Sequence, residues 1–207
     1  MCYLDKKYSW QHDIDFQCTF GIWPFKKTLE ISPNGFLWCG ELFPLKKITR
    51  LRWGIDLKRG GIFPKRIYIV TFGTDKKEFT IRTKQKDFYE HLTDRYWKSV
   101  GRRLLSEMLE GLGAGNKYRF GDCIVEDGGI TVEKKTALFS LPEKHFYKWK
   151  ELESGILNGS LCFVLRDEPG RLLAGCSLLW VDNAHVLNVA IELLQKDKNK
   201  KLLSSCI

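Results

Sequence analysis

Between Thr28 and Arg82 apolar and polar residues alternate with a period of two, the spacing that sets one face of a strand on a core and the other in solvent. The alternation predicts strands at 28–31, 36–39, 48–55, 66–72 and 78–82, with one more upstream over 16–23. Ser32-Pro33-Asn34-Gly35 joins the first two. Its Asn-Gly pair reads as the strongest hairpin signal in the chain, because a tight primed turn needs the positive φ that Asn and Gly tolerate. At Lys84 the period changes. Phe88, Leu92, Tyr96 and Val100 recur every fourth residue, and Leu104, Leu105, Met108 and Leu109 continue the stripe, which predicts an amphipathic helix over about 84–111. Thr83 is its expected N-cap, Gly111, Gly113 and Gly115 mark its end, and Gly101 is where it would kink or divide.

The same order then begins again. Ile31 to Gly35 answers to Val125 to Gly129 at an offset of 94, and Pro44, Ile48 and Leu51 answer to Pro142, Phe146 and Trp149 at an offset of 98. The strand Ile67 to Phe72 matches Leu161 to Leu165, Asp75-Lys76 matches the Asp167-Glu168-Pro169-Gly170 turn, and the helix at 84–100 matches 183–195. Val186, Leu187, Ala190, Leu193 and Leu194 supply the apolar face of that last helix. The expected fold is α+β: two tandem domains, 1–115 and 116–195, each a curled antiparallel sheet or partly open barrel closed by a C-terminal helix. Residues 196–207 form a basic tail, expected to be flexible.

The second copy carries Phe120-Gly121, Gly128-Gly129-Ile130-Thr131-Val132, Leu141-Pro142 before a strand with Lys148-Trp149, Gly159-Ser160-Leu161, and Asp182-Asn183 opening a helix with Val186-Leu187. In these features the chain resembles bacterial pleckstrin-homology-like domains of unassigned function, in tandem, over about residues 16–195. The resemblance implies a fold and no particular ligand. Phosphoinositide-binding members carry basic residues through the first hairpin, and here the turn Ser32 to Gly35 has none.

Net charge sharpens the picture through its distribution. The chain is at +9, but residues 1–116 hold 21 basic against 13 acidic residues, whereas 117–207 hold 13 against 12. The first copy is the half suited to an anionic partner. No apolar run approaches the eighteen or so residues of a spanning helix, and the first fifteen residues are charged, so a cytoplasmic protein is expected, at most peripheral to the inner membrane face. Seven cysteines without a CxxC pair fit free thiols, no disulfide and no zinc. The four histidines are scattered.

Catalytic chemistry finds little support. Gly111-Leu-Gly113-Ala-Gly115-Asn-Lys117 has the glycines and lysine of a phosphate loop, but it follows a helix and precedes a strand, the reverse of the order that aims a helix N-terminus at phosphate. Glu126-Asp127 and Asp167-Glu168 fall at turns rather than in a shared cleft. No enzyme, cofactor or metal is expected.

The residues of most physical interest are Arg50, Arg52, Lys58, Arg59, Lys65 and Arg66, a candidate anion-binding set, with Ile62 and Phe63 as an apolar loop tip. The expected function is a non-catalytic interaction module that binds a protein partner or peptide in a groove between sheet and helix. Two alternatives are peripheral binding to anionic lipid through the basic loop, and nucleic-acid binding with Trp23, Trp38, Trp53 and Trp97 as stacking groups. Core packing is the more economical role for those tryptophans.

Overall fold

The computed structural model describes residues 14–20, 26–58, 65–134 and 143–196. The alternating stretches form strands, all paired antiparallel, and the chain is α+β. β1 (Phe16–Phe20), β2 (Lys27–Ser32), β3 (Gly35–Trp38) and β4 (Glu41–Phe43) make a four-stranded meander, and β5 (Arg50–Lys58), β6 (Lys65–Gly73) and β7 (Glu78–Thr83) a three-stranded one. Helices α1 (Lys86–Tyr96) and α2 (Arg102–Gly113) follow. The order then recurs: four strands, β8 (Tyr118–Phe120), β9 (Cys123–Glu126), β10 (Gly129–Lys134) and β11 (Glu143–Lys148); three strands, β12 (Leu152–Leu157), β13 (Ser160–Leu165) and β14 (Leu172–Ser177); and one helix, α3 (Ala184–Lys196). Among the described residues the four sheets stay separate and none closes into a barrel. Two compact units result, 1–104 and 105–207, so the division falls inside α2 rather than after Gly115.

The offset of 94 has a structural basis. Ser32 pairs with Gly35 and Glu126 with Gly129, each closing a two-residue turn. At both glycines the next strand's backbone passes against the missing side chain: an added Cβ would sit 2.9 Å from the Phe43 carbonyl carbon in one case and 2.9 Å from that of Tyr147 in the other. Only glycine allows that approach. The offset of 98 fails. The counterpart of the 3-10 turn Leu45–Lys47 is the 3-10 turn Trp149–Glu151, which lies 104 residues later. Phe146 belongs to β11 and is exposed, and Pro142 lies outside the described residues.

Further differences have local causes. The primed Asn-Gly turn is Asn158-Gly159 between β12 and β13, with φ of 50° and 74°. At the earlier site Pro33 and Asn34 form the turn, and a proline's fixed negative φ rules out the primed geometry. The long helix is divided by a π-helical turn, Trp97–Gly101, where glycine leaves room for the Trp97 ring, whose Cδ2 lies 2.8 Å from the point a Cβ at 101 would take. Thr83 acts one step before the helix, accepting the Gln85 N–H at 3.1 Å. In α3 the buried stripe contains Ile191, while Leu193 faces solvent.

Each unit has its own core. In the first, the Phe36 ring centroid lies 5.1 Å from both Phe72 and Tyr96, and the buried Tyr96 hydroxyl donates to the Thr71 carbonyl at 3.2 Å. Trp53 packs 6.0 Å from Tyr96 and 6.4 Å from Trp97, so these tryptophans are partly core. In the second, Val125, Ile130, Leu152, Phe163 and Leu187 are sealed from solvent. Cys123 and Cys176 are buried there, and burial pushes their thiols up to about 12 and about 11. Cys18 is disulfide-bonded, which overturns the expectation of free thiols throughout.

Candidate functional site

The phosphate-loop resemblance resolves into a helix stop. Gly115 takes a φ of +85° as α2 ends, the Asn116 N–H donates to the Gly111 carbonyl at 2.8 Å, and the Tyr118 ring lies against Gly111. Lys117 turns to Glu126 instead, Nζ to Oε2 at 2.7 Å, and this ion pair lowers the pKa of the Glu126 carboxyl.

The candidate cations do not form one site. Arg50 and Arg52 share a face of the sheet, as their spacing predicts, but both are engaged: Arg50 Nε donates to the Thr74 carbonyl at 3.1 Å, and Arg52 pairs with Glu78 at 2.5 Å. Glu78 reaches both because it lies across β6 from them, where Gly73 and Thr71 have little bulk. An anion arriving there would have to displace a carboxylate already in place. Lys58, Lys65 and Arg66 are exposed at the far end of the same strands, about 20 Å from Arg52 at strand rise. Arg59, Ile62 and Phe63 lie outside the described residues.

The feature best suited to binding sits in the second unit, on a strand edge. β12 pairs with β13 on one side only. The Arg166 N–H donates to the Glu151 carbonyl at 2.9 Å, and hydrogen-bonded pairs alternate along an antiparallel ladder. Glu153 and Gly155 therefore bond to β13, while the backbone groups of Leu152, Ser154 and Ile156 point to the open side. Helix α3 borders this edge through Gln195, whose amide lies 3.5 Å from both the Ser154 hydroxyl and the Leu152 carbonyl. Ile156 is on the core-facing side of the strand, yet it is 56% exposed, and the adjoining Leu157 is 62% exposed. A 3.0 Å bond from the Leu178 N–H to the Gly159 carbonyl holds the turn bearing exposed Trp180 beside the same hairpin.

Edge strands are usually blunted by lysine, proline or a bulge. β11 follows that rule: the Trp149 N–H bond to the Gly128 carbonyl sets its alternation, so Lys144, Phe146 and Lys148 occupy its open side. β12 has none of the three devices. Its register with β13 is regular, it contains no proline, and its only charge, Glu153, is 3.3 Å from Arg166. Sequence reasoning missed this edge because it assigned no strand to Ile156 and Leu157. The Asn158-Gly159 turn was the signal that a short hairpin begins there.

Comparison of the chain with protein-family models, with characterised proteins and with solved structures gives no match. Among the described residues no helix is long and apolar enough to cross a membrane, and no group of three or more potential ligands is placed to hold a metal ion.

Proposed function

We propose that this chain is a non-catalytic interaction module of two pleckstrin-homology-like units, and that the second unit takes an extended segment of a partner protein as an added strand on β12. The repeated order of four strands, three strands and a helix supports the fold reading. The single observation that carries the binding reading is the open, unblunted edge of β12 beside α3. Strand addition draws affinity from main-chain hydrogen bonds and selectivity from alternate side chains. Here the Ser154 and Ile156 backbone groups supply the bonds, and the exposed Ile156 side chain supplies an apolar contact for the guest residue beside it.

The test is selection of binders from a random peptide display library on the whole protein, followed by amide-exchange mapping. The expected result is protection of the Ser154 and Ile156 amides by the selected peptide and loss of binding in Ser154→Pro. That substitution removes an outward N–H while the ladder to β13 runs through Glu153 and Gly155, and proline is tolerated at such edge positions. Peptides that bind Ser154→Pro as well as the parent, or protect a different strand, would refute the reading.

A further inference from the structure

β5 and β6 outrun the sheet they belong to. β7 pairs with β6 only as far as Tyr68, opposite Thr83, whereas β5 and β6 continue to pair through Asp56 with Ile67, Leu57 with Arg66, and Lys58 with Lys65. The last three pairs are a two-stranded ribbon that projects past its neighbour. Residues 59–64, beyond it, lie outside the described residues, and nothing below depends on them.

Two features of the ribbon are unfavourable in water. Lys58 and Lys65 are directly opposed, a like-charge cross-strand pair. Among the described residues no carboxylate lies within ion-pair distance of Lys58, Lys65 or Arg66, and the ribbon's only acid is Asp56. Beside these cations Ile55 and Leu57 are 47% and 58% exposed, on the face whose inner members, Leu51 and Trp53, line the core. Apolar side chains flanked by unpaired cations are what an anionic lipid interface accommodates: charge is attracted to the headgroups while the aliphatic groups enter the acyl boundary. Ile55, Leu57 and Arg66 share one face of the ribbon, which lies against the interface, while the long Lys58 and Lys65 side chains of the other face reach around its edges to the headgroups. A single-stranded nucleic acid would instead call for aromatic stacking groups beside the cations, and a duplex, held through its phosphates, gains nothing from the exposed aliphatic pair. The ribbon's large exposed side chains are aliphatic, and nearby Tyr68 is buried, with its ring 4.9 Å from that of Tyr89.

We infer that the projecting end of the β5–β6 hairpin docks the first unit onto an anionic phospholipid surface, with Lys58, Lys65 and Arg66 facing headgroup phosphates and Ile55 and Leu57 in the interfacial layer. The site is distinct from the β12 edge and stands or falls separately from it.

The experiment is co-sedimentation of the whole protein with phosphatidylcholine vesicles containing about 30% phosphatidylserine, with pure phosphatidylcholine vesicles and a DNA duplex as comparisons. Binding is expected to the anionic vesicles only, and to weaken as salt rises. Each cation near such a surface contributes roughly fivefold in partition, so Lys58→Glu/Lys65→Glu/Arg66→Glu should lose about a hundredfold or more. Ile55→Ser/Leu57→Ser should lose at least about tenfold by removing apolar burial. Circular dichroism of both variants should match the parent, since the altered side chains are exposed. Parent protein that ignores anionic vesicles, or binds both vesicle types equally, would overturn the inference. So would a serine variant that keeps full vesicle binding. DNA binding lost in the glutamate variant, without any vesicle binding, would assign the ribbon to nucleic acid instead.

Discussion

Replacing Gly129 with alanine tests the repeated hairpin at its tightest point. A Cβ there would lie 2.9 Å from the Tyr147 carbonyl carbon and 3.0 Å from Lys148 Cα, and would run into the Tyr147 carbonyl oxygen. These are backbone atoms of β11, so no side chain can rotate aside. Relief requires β10 and β11 to part where Ile130 pairs with Tyr147 and where the Trp149 N–H reaches the Gly128 carbonyl at 3.3 Å. Overpacking costs about 1–3 kcal/mol and each lost hydrogen bond about 1 kcal/mol, so Gly129→Ala should destabilise the second unit by about 3 kcal/mol. At roughly 4–8 °C per kcal/mol for a unit of this size, its melting temperature should fall by about 12–24 °C. Gly128→Ala is the control one residue away: its nearest neighbour would be Phe146 Cζ at 3.6 Å, an ordinary contact, and the effect should stay within about 0.5 kcal/mol. Thermal unfolding followed by circular dichroism gives the transition, and release of buried Cys123 and Cys176 to a thiol reagent assigns it to the second unit. Equal effects of the two substitutions, or a Gly129→Ala protein within about 0.5 kcal/mol of the parent, would refute the packing argument.

Two further outcomes follow from the same geometry. Glu133 accepts Arg119 at 2.8 Å and Lys144 at 3.0 Å, and these two hydrogen-bonded cations lower its pKa to about 2. A depressed carboxylate pKa means stability fully present above the ordinary value of 4.5 and lost as pH falls through about 2; acid titration of Glu133→Gln should show a shallower decline in that window than the parent. Gly101→Ala should destabilise the first unit by about 1–3 kcal/mol in urea titration, because the Trp97 ring occupies the site, and Trp97→Leu in the same chain should recover part of the loss.

Periodicity made the elements legible because it reports which residues a fold buries, and burial is a property of one strand or helix at a time. The alternation of Leu51, Trp53 and Ile55, and the fourfold spacing of Phe88, Leu92 and Tyr96, needed no partner to be recognised. Relations between elements were hidden. Arg50 and Arg52 looked like an anion site because their counter-charge, Glu78, is 26 residues from Arg52 and meets it only through the register of β5, β6 and β7. Leu57 was expected beyond the end of its strand, because nothing in the alternation says that β5 and β6 go on pairing as far as Lys58 and Lys65. The edge at Ile156 and Leu157 was missed as well, since the exposure of an edge depends on what fails to pair with it.

Charge placement separates the kinds of partner the two surfaces accept. On the ribbon, once β7 has ended, the open side of β6 carries Arg66, and Lys58 and Lys65 stand opposite one another a step beyond. Cations at a strand edge oppose the approach of another strand, so the ribbon is guarded against β-addition by the same side chains that draw it to an anionic surface. β12 has the converse design. With Glu153 held by Arg166, its edge exerts little net field and presents backbone groups next to aliphatic side chains. A flat anionic surface gains nothing from unpaired N–H and C=O groups in a row, whereas a polypeptide strand satisfies each of them in register. The proposed partners therefore differ in kind because lysine guards one edge and is missing from the other.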